Sequence, residues 1–307
     1  MTQKSKKIIA IDIGGTNIRI GLVDSLGNLE KNTKLDKPDI SQVPDLIIST
    51  IKDLFTKSEL ENTSCIAVST AGRVDNEKGL IECPTIGKGV LPLGRDLKEV
   101  FGKEVILIND ANVAAYGEYS KIKDKTQNLV YVTISTGIGG GAIVDGYLIQ
   151  NNAVEIGHIV VKEEDYKLFC NYGHENCWEA FASGNGIPHF FKAWAKKQKI
   201  TAENYSAAGE IFEAAKKGGQ TEKKFLEKLG EYNSRGISMI MAAYNPDIIV
   251  IGGSVVRHNK NEILKPMMKN IQEIYKLPQI IVTESGDEVC LLGAAQYAFD
   301  NLVKEKK

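Results

Sequence analysis

Three glycine-rich turns, DIGGT at 12–16, STGIGGG at 135–141 and IGGSV at 251–255, each follow an apolar strand directly. Glycine lets backbone N–H groups come close to a ligand oxygen, and the neighbouring Thr or Ser adds a hydroxyl donor, so such turns can cradle phosphates. One such turn alone is as readily a hairpin. Three at equivalent places shift the balance toward a nucleotide. The first two also share a wider plan, because IAIDIGGTNIRIGLVD and LVYVTISTGIGGGAIVDGYLI both read strand, glycine turn, strand. That self-similarity marks the two halves as distant structural duplicates. The commonest nucleotide motifs are excluded. No G-x-x-x-x-G-K-[ST] occurs, GIGGG runs into a strand where a dinucleotide fold needs a helix, and no HRD or DFG segment accompanies it.

The chain has 307 residues, more than one hydrophobic core usually organises, so two lobes sharing a cleft are expected. Strands are predicted over 7–13, 18–24, 28–34, 65–70, 105–110, 129–136, 142–149, 246–256 and 278–285. Helices are predicted over about 42–57, from Ala111, over 178–198, 206–217 and 221–244, and in the final LLGAAQYAFDNLVK, whose apolar face can pack back on the first lobe. This is an α/β pattern, divided as residues 1–120 with 291–307 in one lobe and 121–290 in the other. A formal charge of -1 gives no footprint for nucleic acid or a membrane surface. The basic MTQKSKK start lacks an apolar h-region, and no apolar stretch reaches membrane-spanning length, so a cytoplasmic protein is expected. Five scattered cysteines argue against a disulfide framework.

Phosphoryl transfer to a hydroxyl needs a base, a divalent cation and donors that hold the γ-phosphate. Asp12 ends the first strand beside Gly14-Gly15-Thr16-Asn17, where phosphates would repel a carboxylate unless a cation intervened. It is assigned to Mg²⁺, through water. Gly14, Gly15, Thr16 and Asn17 then face the phosphates of ATP, Thr136, Gly137, Gly139 and Gly140 form a second phosphate turn, and Gly252 with Gly253 lies against the nucleotide or serves helix–strand packing. Asp110 ends the apolar VILIN and begins a helix, a place that suits either a catalytic base or a plain N-cap.

In order along the chain, DIGGTNIRIGLVD, NDANVAAYGE, TISTGIGGG, EIGHIVV and NPDIIVIGGSV resemble the ROK family of sugar kinases and repressors. The resemblance covers nearly the whole chain. It implies the actin-like ATPase fold (ribonuclease H-like), two lobes of duplicated βββαβαβα units with an interlobe cleft. It also implies ATP and Mg²⁺ as cofactors, and a homodimer or dimer-based oligomer in which the helices from 178 to 244 form the interface, although their apolar faces serve an ordinary core equally well. By the same resemblance Asp110 takes the sugar proton, Asn109 binds a sugar hydroxyl, and Glu155, His158 and Glu179 contact the sugar.

The family's loop C-x-C-G-x-x-G-C-x-E, completed by a preceding His, holds zinc. Here Tyr172 stands for the middle Cys and Asn176 for the second Gly, which leaves His158, Cys170 and Cys177 as three ligands where a structural zinc takes four. Two alternatives follow: a metal-free loop with Tyr172 and Trp178 packing in the metal's volume, favoured on ligand count, or a site completed by His174.

The loop STAGRVDNEKGLIECPT carries Gly72-Arg73-Val74 and Pro84-Thr85-Ile86-Gly87 where glucokinases of the family read PGPVD and P-N-x-P-G-W. With Gly72, Arg73 and Thr85 it looks more like N-acetylmannosamine kinases, and loss of the Trp leaves room for an N-acetyl group. A broad glucose and mannose kinase is the alternative. The family's repressors carry a helix-turn-helix ahead of the first glycine turn, and eleven residues precede Asp12, so an enzyme is expected over a sugar-sensing regulator.

Overall fold

The computed structural model describes residues 6–82, 89–122, 127–149, 154–161, 166–201, 203–271, 276–286 and 288–303. Two compact units divide the chain: Met1–Lys125, Leu148–Ala153 and Ser285–Lys307 form the first, Thr126–Tyr147 and Val154–Glu284 the second.

The first unit is built on β1 (Lys7–Ile13), β2 (Asn17–Asp24), β3 (Leu29–Asp36) and β4 (Thr63–Thr70). Three short strands, β5 (Arg73–Asp75), β6 (Leu80–Glu82) and β7 (Val90–Leu91), make a small antiparallel sheet in a segment that reads as loop, and β8 (Glu104–Asn109) follows. The main sheet has the order β3-β2-β1-β4-β8, with β1 antiparallel to β2 and parallel to β4. Central β1 is apolar on both faces because both are covered. Ile9, Ile11 and Ile13 join a core with Val43, Ile47 and Ile51 of the helix Val43–Leu54, whereas Ile8 and Ala10 join Leu291, Ala294 and Ala298 of the helix Val289–Ala298. That last helix crosses the helix Asp110–Ser120 closely, since a Cβ on Gly293 would lie 2.3 Å from the Val113 carbonyl oxygen.

The second sheet, β9 (Leu129–Ile134), β10 (Ile138–Val144), β11 (Tyr147–Leu148), β12 (Ile248–Gly252) and β13 (Gln279–Val282), has the order β11-β10-β9-β12-β13. Its first strand is again antiparallel to the second and parallel to the fourth. The duplication read from the glycine turns is therefore a duplication of sheet topology. Trp178 anchors this unit's core: fully buried, it donates its indole N–H to Asn233 Oδ1 at 2.9 Å and lies so close over Gly236 that a Cβ there would be 2.4 Å from the ring.

Several boundaries differ from the sequence expectation, each for a local reason. The helix expected over 42–57 ends at Leu54, and a capping box between Thr56 and Glu59 starts a new one, Lys57–Asn62. The expected 178–198 helix is two, Trp178–Ala182 and Gly186–Lys197, because Gly184 turns to donate its N–H to the Ser135 carbonyl at 2.7 Å. The strand expected to continue to 256 stops at Gly252. Gly253 adopts φ 96°, and the helix Ser254–His258 begins. No described helix is long and apolar enough to cross a membrane.

Candidate active site

In the first unit β8 delivers its last residue, Asn109, to the start of the helix Asp110–Ser120. The cap is Asn109, and Asp110 is the first helical residue. Asn109 Oδ1 accepts from the N–H groups of Ala111 (2.9 Å) and Asn112 (3.3 Å), while its Nδ2 donates to the Gly72 carbonyl at 3.1 Å. Gly72 itself holds φ 86°, a conformation suited to glycine. Asn109, buried and engaged on both amide atoms, thus ties the strand–helix junction to the loop that carries Arg73, which is exposed. With capping met by Asn109, the half-buried Asp110 carboxylate stands at the positive end of the helix and accepts from Ala111 N–H at 2.8 Å. The Cys290 thiol donates to the Asp110 carbonyl at 3.6 Å.

Asp12, at the end of β1, is 6% exposed. Strand register places Arg19 of β2 on one side of it and Ser69 of β4 on the other. Ser69 Oγ donates to Asp12 Oδ1 at 3.0 Å and Arg19 Nη1 lies 3.5 Å from Oδ2. Burial pushes the Asp12 carboxyl up to about 6, against the Ser69 bond, and the nearby Asp110 charge raises it further while Arg19 opposes. The adjoining turn is tight and exposed. Gly14 N–H donates to the Asn17 carbonyl (2.9 Å), Asn17 Nδ2 to Thr16 Oγ1 (2.8 Å), and space is open where a Gly15 side chain would stand.

A cavity of about 650 Å³ in this unit is lined by Arg73, Lys78, Glu82, Asn109 and Asn112, among others. Asn112 is 3% exposed, and its Oδ1 has no hydrogen-bond partner among the described residues. Thr85 lies outside the described residues. Ser69, Arg19 and Asn112 were missed in the sequence. For Arg19 a signal existed, one charge in the apolar run IRIGLV, which β2 presents directly opposite Asp12.

In the second unit four glycines of the second and third turns, Gly137, Gly140, Gly252 and Gly253, have a neighbour where a side chain would stand. Glu179, 7% exposed, accepts the Ile138 N–H at 2.9 Å and occupies the place of a Gly137 side chain, 2.6 Å from a Cβ there. A Cβ on Gly140 would lie 2.3 Å from Ile156, and on Gly252 it would lie 2.2 Å from the Tyr131 hydroxyl. On Gly253 it would meet the Ile134 carbonyl oxygen, also at 2.2 Å. Gly139 is half-buried on β10. Thr136 is exposed, its carbonyl accepting from Asn185 N–H at 3.3 Å, and with Ser135, Asn185, Lys192 and Ser254 it lines a polar cavity of about 560 Å³. Glu155 is exposed, and one of its oxygens lies 3.7 Å from His158 Nε2.

The profile of the ROK family matches residues 8–301. The chain belongs to the ROK family. A glucokinase of Pyrobaculum calidifontis is 29% identical over 95% of this chain and 95% of its own length. An N-acetylmannosamine kinase of Vibrio cholerae is 29% identical over 94% of this chain and 98% of its own. The crystal structure of a ROK family glucokinase from Streptomyces griseus, in complex with glucose and AMPPNP, superposes with a TM-score of 0.75 at 27% identity, covering 96% of this chain and 100% of that one. The fold of this ROK chain is accordingly the actin-like ATPase fold, a mixed α/β architecture. Its first unit fits the nucleotide and cation expected of such a family: the exposed Gly15-Thr16 turn has open space at Gly15 for phosphate oxygens, and a divalent cation would offset the charge of the buried Asp12 and the nearby Asp110.

Proposed function

We propose that this ROK chain is an ATP-dependent sugar kinase that phosphorylates the 6-hydroxyl of N-acetylmannosamine. The observation that carries the kinase reading is the Asn109–Asp110 junction, where Asn109 performs the capping and the Asp110 carboxylate is held at a helix N-terminus near Asp12. Asp110 accepts the proton of the attacking hydroxyl, and its fixed place on the helix orients that hydroxyl. The Gly14–Asn17 turn receives the phosphates. Mg²⁺, when bound, neutralises charge on the transferring phosphoryl group, and Asp12, kept in place by Ser69 and Arg19, is the residue that holds it. Glu155 and His158, carried over from the family's sugar contacts, accept and donate to sugar hydroxyls. Glu179 acts behind them by fixing the Ile138 backbone.

The choice of sugar rests on the Gly72-Arg73-Val74 loop and on the absence of the glucokinase Trp after Pro84. Similarity to glucokinases of the family supports a second reading, a broader kinase of glucose and mannose. A coupled ADP-release assay with Mg-ATP against N-acetylmannosamine, N-acetylglucosamine, glucose and mannose separates them. The expected result is a kcat/KM for N-acetylmannosamine at least about tenfold above the others, the worth of one well-made polar contact. Comparable glucose and mannose rates establish the broader kinase, and no turnover with any sugar returns the chain to the sugar-sensing regulators.

A further inference from the structure

One face of the first sheet turns from apolar to polar at a single row. On β1 the residues Ile8, Ala10 and Asp12 share a face by strand alternation, and the register sets them beside Cys65, Ala67 and Ser69 of β4. The apolar members of both triplets pack under the helix Val289–Ala298. Asp12 and Ser69 end the row where that helix begins, and Cys290 is its second residue.

The Cys290 thiol stands between the two carboxylates of the candidate site. It donates to the Asp110 carbonyl at 3.6 Å. Its other hydrogen-bonding neighbour is Ser69 Oγ, the hydroxyl that donates to Asp12 Oδ1. One side chain therefore links the start of the helix Asp110–Ser120 to the residue that holds Asp12. Its support is rigid, because the two helices cross with their backbones in contact. A Cβ on Gly293 would lie 2.3 Å from the Val113 carbonyl oxygen, and one on Gly117 would lie 3.3 Å from Gly293 Cα. Burial, and then the charges of Asp12 and Asp110, hold the thiol well above its ordinary 9.0. It is thus a neutral donor at working pH and adds no third anion beside the carboxylates.

We propose that Cys290 is a positioning residue of the phosphoryl-transfer site, fixing the base Asp110 relative to the cation-holding Asp12 through the Asp110 carbonyl and Ser69. The inference rests on the kinase reading, in which those two carboxylates divide the tasks. Small displacements of such a pair are costly, since base and cation must meet one reacting phosphoryl group in line.

Cys290→Ala removes the donor, and Cys290→Ser keeps one at the same place. The Ala variant should lose about tenfold in kcat, with sugar KM within about twofold of the parent, and the Ser variant should return to within about threefold of the parental kcat. A role in packing alone predicts otherwise: both variants lose the sulfur, so activity and Tm would fall alike with no rescue by serine. A second readout needs no turnover. Mn²⁺ in place of Mg²⁺, bound together with ADP and followed by electron paramagnetic resonance, should bind about fivefold more weakly to Cys290→Ala and recover in Cys290→Ser. A parent that binds Mn²⁺-ADP yet phosphorylates no sugar would refute the kinase reading, while the resonance comparison would still decide whether Cys290 sets the site. Parental kcat or parental Mn²⁺ affinity in Cys290→Ala, equal losses in the Ala and Ser variants, or no Mn²⁺-ADP binding by the parent would each overturn the assignment.

Discussion

Asp110→Asn will bind sugar within about threefold of the parent and lose about 10³-fold or more in kcat, the worth of a positioned general base. The substitution keeps the shape of the group and an oxygen that can go on accepting from Ala111 N–H, and the cap itself is untouched because Asn109 accepts from both the Ala111 and the Asn112 amides. Helix stability is then nearly unchanged, so the loss reads out chemistry and not folding. Sugar affinity by calorimetry alongside steady-state turnover checks both halves. Turnover within tenfold of the parent would remove Asp110 from its role.

Asp12→Asn will likewise abolish turnover, yet it will make the protein harder to melt in the absence of nucleotide and metal. The sign follows from the direction of the shift. Burial raises the carboxyl of Asp12 from its ordinary 3.8 to about 6, so the folded state disfavours the charge that the unfolded chain carries freely. Well below pH 3.8 both states are protonated and the penalty is absent; it grows as pH rises from there through the interval and is complete above the folded value. At neutral pH it amounts to about 3 kcal/mol, of which part is given back because Arg19 and Ser69 lose their anionic partner. A net gain of about 1–2 kcal/mol, seen as a rise of several degrees in Tm at pH 7.5 that disappears well below pH 3.8, is expected. An unchanged or lowered Tm at pH 7.5 would mean that Asp12 is not strained by its surroundings.

What the sequence disclosed was what depends on neighbours along the chain. The strand–glycine–strand plan predicted a duplicated sheet, and both sheets carry it. The junction at Asn109–Asp110 was legible because an apolar strand abuts a helical pattern there. Which of two good capping residues would cap was not, since one residue of register decides it. Ser69 and Arg19 reach Asp12 only through the pairing of β1 with two strands distant in sequence. Gly137 and Gly140 were read as phosphate contacts and Gly252 as lying against the nucleotide or as a packing glycine; in sequence a missing side chain looks the same in either case, and Glu179, Ile156 and Tyr131 stand where those side chains would be. The β5–β7 sheet escaped because RVD and LIE are too short and too polar to show a period. The approach of His174 to Cys170 escaped for a related reason, since it depends on the left-handed turn at Gly173. Of the two residues expected to fill that loop, Tyr172 is 46% exposed and Trp178 belongs to the core over Gly236.

The packing of Trp178 over Gly236 makes the second unit self-reporting. The chain has two tryptophans, Trp178 and Trp194, and both belong to that unit. Both are shielded, at 0% and 6% exposure, so the native emission should be blue-shifted and should redden only when this half of the molecule opens. The first unit contributes helix and strand to the far-ultraviolet dichroism but no indole signal. A denaturation followed by both probes therefore distinguishes one cooperative transition from two: coincident curves mean that neither half persists without the other, and an indole transition that leads or trails the dichroism means that each melts at its own midpoint.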